Sequence, residues 1–284
     1  MIHVSNPERE LWPADGLLKD DLIRYYLEAA PYLLPHLHNR PLVVQRFPRG
    51  IEQEGFYQKN VPAGAPEWLQ RCSVEHGGGK IVEYLVADSP EALLWLGNQA
   101  CLELHPWLSR AGTLDNPDFV VFDLDPMERS TFAHICTAAV AIRELLRERG
   151  LQCYPKLSGA TGMQLYLPIE PRYSYRQSRD FAEAICRRVH RAYPEITTLE
   201  RRIEQRGGKL YLDYLQNGRG KTLAAPYSPR PLPGAPVSVP LTWEEVAGEA
   251  VKRGQFTVKN MLGRLEERGD LFAPVLEQRQ LLPG

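Results

Sequence analysis

What this chain lacks narrows it first. No apolar run approaches the roughly 20 residues that span a bilayer, and the opening MIHVSNPERELW has no basic stretch followed by an apolar one. The expected compartment is therefore the cytoplasm, with no membrane partner. Five cysteines, Cys72, Cys101, Cys136, Cys153 and Cys186, stand singly without a CxxC pair. That spacing excludes a zinc knuckle and a disulfide framework, and it suits small core residues. There is no Gly/Ser linker and no internal repeat. Nor is there an excess of charge: 34 basic residues face 35 acidic ones, for a net charge of -1, so the overall balance carries no nucleic-acid footprint. At 284 residues with 43% apolar and 24% charged side chains, what remains is a soluble globular chain able to bury a real core.

Helical stretches alternate with short apolar runs, as in a mixed α/β fold. Helices are expected over 19–30, stopping before Pro31, and over 90–100 with Ser89 as cap and Pro90 in the first turn. Others are expected near 131–148 with Ser130 as cap and Gly150 closing it, and near 175–192, 243–252 and 257–268. The helix from 243 opens on the capping-box pattern Thr242-Trp-Glu-Glu245. Three strands matter most, at 119–125, 163–168 and 209–215. Alternation along a strand sets Asp123 and Asp125 on one face, and Lys209, Tyr211 and Asp213 likewise, with Gln164 and Tyr166 opposing Met163, Leu165 and Leu167. Each strand thus offers one apolar and one polar face. The Pro-rich 226–240 reads as an extended crossing, and the turn-rich 105–118 separates two subdomains.

In FVVFDLDP, residues 119–126, an apolar strand runs into two aspartates. Two like charges a pleat apart, with a low dielectric behind them, repel unless a cation sits between. Hard carboxylate oxygens suit Mg²⁺ or Mn²⁺, and Asp213 on a separate strand is the natural third ligand. Three carboxylates can hold two divalent ions, the arrangement that activates a 3′-hydroxyl and steadies a departing pyrophosphate. DxD alone is a weak signal, shared with sugar transferases and phosphatases. The aspartyl-phosphate phosphatases, whose first strand reads much like VVFDLDG, are a rival class, but Pro126 and Met127 follow here and the motif lies mid-chain.

KLSGATGMQLYLP, residues 156–168, has tight turns at Ser158-Gly159 and Gly162, where backbone N–H groups can approach an anion and Ser158 and Thr161 add hydroxyls. A plain loop is the alternative. Downstream, residues 201–230 carry seven basic side chains against only Glu204 and Asp213. They bring cations toward Asp213, and arginine forks meet phosphate oxygens in pairs.

FDLDP, then SGxxGxQ, then KLYLDYLQNGRGKTLAAPYSPR with GAPVSVPLTWEE behind it, resembles the polymerase domain of bacterial DNA ligase D, in the archaeo-eukaryotic primase superfamily. The N-terminal half matches as well, through LWPADGLLKDDLIRYY, NRPLVVQRFPRGI, GFYQKNVP and CLELHPW. The resemblance implies an α/β (α+β) primase-polymerase fold, with mixed and antiparallel sheets, flanking helices and the catalytic face on a central sheet. It implies one catalytic domain over 1–284, with an N-terminal subdomain of about 1–110 and a catalytic subdomain of about 111–284. The activity implied is that of a template-directed nucleotidyltransferase that fills gaps and extends 3′ ends at double-strand breaks, favours ribonucleotides and uses two Mn²⁺ or Mg²⁺ ions.

Carried over motif by motif, Asp123, Asp125 and Asp213 become the metal ligands. Ser158, Gln164, Arg206 and Arg230 fall where the family contacts the triphosphate or its metals, with Lys209 and Ser228 beside them. His105 matches a histidine next to the active site; a satisfied core histidine is its other reading. Lys19, Phe56, Tyr57 and Lys59 match the surface that grips a 5′-phosphate and stacks on the template, though Tyr57 reads equally as core. The implied partners are gapped or broken double-stranded DNA with a 5′-phosphate, nucleoside triphosphates, and separate end-binding and ligase proteins, since no KxDG ligase signature is present. The chain departs from the family at Thr161 and Gln164, where many relatives have a basic residue and a histidine. It departs again at Leu232 in place of a second arginine, and at Gln45 where some have lysine. A primase that starts chains without a primer, and a non-catalytic end-binding module, are the competing readings.

Overall fold

The computed structural model of the chain describes residues 2–249 and 251–283. Two compact units emerge. The first comprises 1–112, 222–238 and 256–270, and the second 113–221, 239–255 and 271–284. Two stretches expected within a contiguous subdomain of 111–284 therefore group with the N-terminal residues instead. Their backbone ties explain it: Thr222 bridges to Trp107, Ala225 N–H donates to the Leu104 carbonyl, and Thr257 bridges to Pro236.

In the first unit β1 (Glu10–Trp12) pairs antiparallel with β2 (Leu17–Leu18), which leads into helix α1 (Lys19–Leu37). The helix does not stop at Pro31; it runs through Pro31 and Pro35. Leu27, Pro31 and Pro35 are four residues apart on its exposed side, so the carbonyls that lose an N–H partner face water. Its other side buries Leu22, Ile23, Tyr26, Leu33 and Leu37. A sheet follows, built from β3 (Leu42–Arg46), β4 (Phe56–Gln58), β5 (Arg71–His76) and β6 (Lys80–Leu85), ordered β4-β3-β6-β5. Helix α2 (Pro90–Asn98), capped by Ser89 as expected, is followed by β7 (Cys101–Pro106), which pairs antiparallel with β3.

The second unit is a six-stranded mixed sheet. Its elements are β8 (Phe119–Asp125), α3 (Phe132–Arg147), β9 (Tyr154–Leu157), β10 (Met163–Pro168), α4 (Tyr175–Ala192), β11 (Thr197–Thr198), β12 (Leu210–Asp213), β13 (Val239–Pro240) and α5 (Trp243–Ala247). The strand order is β11-β12-β8-β10-β9-β13, with β11 parallel to β12 and every other pairing antiparallel. Helices α3 and α4 lie against it, burying Ile135, Ile142, Leu146, Ile185 and Val189.

Three boundaries moved for local reasons. Strand β12 ends at Asp213 rather than 215, because the Asp213 carboxylate accepts the Leu215 N–H and turns Tyr214–Gln216 into a 3₁₀ coil. Thr131, not Ser130, caps α3 by accepting from His134 N–H, while Ser130 Oγ accepts from Met127 N–H. Helix α5 is short, with Gly248 as its C-cap, and the expected span to 252 crosses residue 250, outside the described residues. All five cysteines are free and buried. No described helix is long and apolar enough to cross a membrane.

The cap assignment is directly testable. Thr131→Ala is expected to lower unfolding stability by about 1 kcal/mol in urea titration, and Ser130→Ala by distinctly less.

Candidate functional site

Five strands of the second unit place one residue each on a single rung. Pro240 of β13 lies opposite Lys156 of β9, Lys156 opposite Gln164 of β10, Gln164 opposite Asp123 of β8, and Asp123 opposite Asp213 of β12. Directly opposed residues share a sheet face, so Asp123 and Asp213 stand side by side. Asp125, two residues along β8 and opposite Tyr211, completes the acidic face. Register thus brings together the three carboxylates expected from the sequence.

Their surroundings show what that crowding does. Burial pushes the half-buried Asp123 carboxyl up to about 7, against a hydrogen bond from Gln164, and the charges of Asp213 and Asp125 push the same way. Asp213 is raised too, chiefly by burial, with Asp125 adding to it. An acid displaced upward by burial and by like charges marks a site short of positive charge. Each carboxylate has found a donor of its own. Gln164 Nε2 donates to Asp123 Oδ1 at 3.0 Å, and Arg206 Nη1 to Asp125 Oδ2 at 3.1 Å. Tyr211 Oη donates to Asp213 Oδ1 at 3.2 Å. Arg206 is buried and stacks with its guanidinium carbon 3.9 Å from the Tyr211 ring centre. Among the described residues no three His, Cys, Asp or Glu side chains stand in a metal-holding arrangement. Backbone register puts the three carboxylates on one face, and each side chain is turned to a donor of its own. In donor chemistry and charge deficit these residues fit a hard divalent cation.

Other expected residues fare differently. Ser158 is buried, and its Oγ accepts from the Ala160 and Gly162 N–H groups, both at 3.1 Å. The turn therefore spends on its own serine two of the amides that the sequence offered to an anion. Gly159 sits at φ +77, which the turn requires, and a Cβ on Gly162 would press into the Leu124 carbonyl of β8, so that glycine is required by the close approach of the neighbouring strand. Thr161 is exposed. Lys209 precedes β12, and its ammonium donates to the Pro194 carbonyl at 2.8 Å; it is tied down locally rather than ranged along the acidic face. Gln164 and Tyr166 are buried, so β10 has no open polar side.

His105, Ser228 and Arg230 belong to the first unit and cluster there around an acid the sequence reading passed over. Glu103, two residues before His105 on the same side of β7, accepts from His105 Nε2 at 2.7 Å and from Arg230 Nε. Burial alone would raise its carboxyl, but the hydrogen bond from His105 and the charge of Arg230 hold it below the usual glutamate range. Thus His105 is buried and does have a partner. Tyr57 is not core: it is 60% exposed, on edge strand β4, with its ring 5.9 Å from that of His105. Phe56, also exposed, faces the Arg46 guanidinium at 5.5 Å, and Lys59 is exposed beyond them. Ser228 is enclosed, with Oγ accepting from Leu104 N–H. Just before it Tyr227 holds φ +67, braced by Tyr25 Oη on its carbonyl and by its own hydroxyl on Asp270.

Lys19 lines a cavity of about 180 Å³ together with Arg9, Arg46, Asn6 and Asn98. Its ammonium donates to the Ser5 carbonyl, and burial followed by the charge of Arg9 lowers its pKa. Crowded cations of this kind favour an anion, the inverse of the acidic face. Lys156, Glu103 and Arg9 were the residues missed. The available signal for the first two was a charge set inside an apolar strand, in YPKL and CLELHP.

The second unit thus presents a polar, acid-crowded sheet face. Residues 18–272 match the family model for the LigD primase-polymerase domain, and the chain belongs to that family. It is 40% identical over 255 residues to the bifunctional non-homologous end joining protein LigD of Bacillus subtilis, covering 89% of this chain and 41% of that protein. It is 35% identical over 276 residues to the multifunctional non-homologous end joining protein LigD of Mycolicibacterium smegmatis, covering 96% and 36%. The chain thus spans well under half the length of these relatives. Its structure is similar to the polymerase domain from Mycobacterium tuberculosis ligase D in complex with DNA, with a TM-score of 0.92, 32% identity and 99% of each chain covered.

Removing the acid that organises the first unit's cluster has a calculable cost. Glu103→Leu strands Arg230 and His105 and is expected to destabilise by about 3 kcal/mol at neutral pH. Because the folded-state pKa of Glu103 is depressed, wild type keeps this advantage above the usual glutamate pKa and loses it as pH falls through the lowered value. Urea titrations of both proteins from pH 7 downward should converge at the acid end.

Proposed function

We propose that the chain is a template-directed nucleotidyltransferase that fills gaps and extends 3′ ends at DNA double-strand breaks, with a preference for ribonucleotides. The observation that carries this reading is the shared rung of Asp123 and Asp213 with Asp125 beside them, in a chain of this family. Two divalent ions, Mn²⁺ or Mg²⁺, held by Asp123, Asp125 and Asp213, would supply Lewis-acid activation of the 3′-hydroxyl and charge neutralisation at the leaving pyrophosphate. Gln164 orients Asp123, and Arg206, now spread over Asp125 and Tyr211, is the cation next to the acidic face best placed to take a phosphate oxygen. In the first unit by itself, Arg230, steadied by Glu103, and His105 form a cluster whose donors suit phosphate oxygens.

Likewise in the first unit, the cavity of Lys19, Arg9 and Arg46 suits a DNA 5′-phosphate, and the exposed rings of Phe56 and Tyr57 suit stacking on template bases, which needs no sequence readout. Nucleoside triphosphates and gapped or broken duplex with a 5′-phosphate are the substrates on this reading. An end-binding protein and a ligase activity are what it works with on this reading, and the cytoplasm its place of work.

The decisive assay is extension of a gapped duplex bearing a 5′-phosphate, with Mn²⁺ and ribonucleotides. Wild type should add one or a few nucleotides. Asp123→Ala and Asp213→Ala should each abolish addition while leaving duplex binding in gel shift intact; extension surviving both substitutions sinks the mechanism. Replacing Phe56 and Tyr57 together by alanine should weaken binding to gapped duplex about tenfold or more in fluorescence anisotropy, without altering the response to Mn²⁺ concentration.

A further inference from the structure

Lys156 is wholly enclosed, 0% exposed, within the sheet that carries the acidic face. An ammonium without water needs close acceptors. Its Nζ donates to Gln164 Oε1 at 2.5 Å and lies 5.8 Å from the centre of the Tyr166 ring. Gln164 Nε2, at the other end of the same amide, donates to Asp123 Oδ1 at 3.0 Å. Ammonium, amide and carboxylate therefore stand in line along one rung of β9, β10 and β8.

An ammonium has three donors and no acceptor, whereas the two ends of a glutamine amide have the same shape and opposite polarity. Only the amide oxygen can face Lys156, so the nitrogen must face Asp123. We propose that Lys156 is a positioning residue: it locks the Gln164 amide in the single orientation that presents a donor, never an acceptor, to Asp123 and to an anion approaching that carboxylate. The kinetic consequence rests on the nucleotidyl-transfer reading, while the orientation itself does not. Without the ammonium only the Asp123 carboxylate selects an end of the amide, and the amide oxygen loses the donor that anchors it. A carbonyl turned toward Asp123 would set two acceptors at the separation a hydrogen bond now spans, and the carboxylate would leave its place on the acidic face.

The test compares nucleotide addition to gapped duplex by the full chain and its variants. Lys156→Met should lower kcat/KM about tenfold or more. Gln164→Glu leaves the ammonium paired, and so keeps the fold, but offers Asp123 no donor; it should lose at least as much. In a Gln164→His background, where the imidazole brings its own N–H, adding Lys156→Met should change kcat/KM by less than about threefold, because the two residues act as a unit. A lysine that merely filled the core would cost the same in both backgrounds and leave Gln164→Glu active, and either result overturns the proposal. If Lys156→Met does not fold, Lys156→Gln, whose own amide can meet either end of Gln164, takes its place in the same comparisons with the same expected outcomes.

A second readout is independent of activity. In ¹H–¹⁵N spectra of the full chain, the Gln164 side-chain amide signal, identified by its loss in Gln164→Ala, should shift in Asp123→Ala. In Lys156→Met it should move toward the position of a free amide. A signal indifferent to Lys156→Met overturns the orientation even if wild type extends DNA. A wild type that adds no nucleotide while its amide responds as stated upholds the orientation and sinks the polymerase reading.

Discussion

Antiparallel pairing of β12 with β8 sets Asp213 against Asp123, and the second unit is organised around the repulsion this creates. Carboxylates on neighbouring positions of a half-buried face cannot all ionise freely when the low-dielectric interior lies behind them. The burial and like charges that push the Asp123 carboxyl up to about 7 express that conflict. Gln164, Arg206, Tyr211 and the Leu215 N–H each relieve one carboxylate by one hydrogen bond. A folded chain tolerates such an arrangement when the deficit of positive charge is met from outside it.

The first unit treats its buried acid in the opposite way. Glu103 receives hydrogen bonds from both His105 and Arg230, and its carboxyl is held low. One acidic group is thus left wanting a cation and the other is saturated with bases. The difference follows from their neighbours: β8 and β12 contribute acids to the shared face, whereas β7 and the 222–238 segment contribute an acid, a histidine and an arginine. The same contrast separates the cavity of Lys19 and Arg9, where cations crowd, from Lys59 on the open surface.

Much of the secondary structure was legible from patterning, as β8, β10 and α4 show. Their ends are written locally, in a short, mostly apolar run or in a capping box such as that of Ser174 and Gln177. Signals failed where tertiary context overrode them. An interior proline costs a helix a hydrogen bond and crowds the carbonyl four residues back, yet α1 runs on, with the freed carbonyls on its exposed side and its other side packed. Lys209 was ranged with Asp213 on alternation alone, yet the strand begins one residue later and the long side chain reaches a carbonyl instead. Ser158 looked free to meet an anion because a sequence does not say which amides a hydroxyl will accept from.

By itself the sequence determined that Asp123 and Asp125 share a face, because strand alternation is a property of the backbone. Motif order along the chain likewise marked Asp213, Arg206 and Arg230 as residues of one chemistry. Only the tertiary structure decided that Asp213 stands opposite Asp123, that Glu103 holds His105 and Arg230, and that a fully buried lysine backs Gln164. Strand register and the partner of a buried charge are set by pairings between segments far apart in the chain. No local pattern encodes them, since each is the outcome of packing the whole sheet at once.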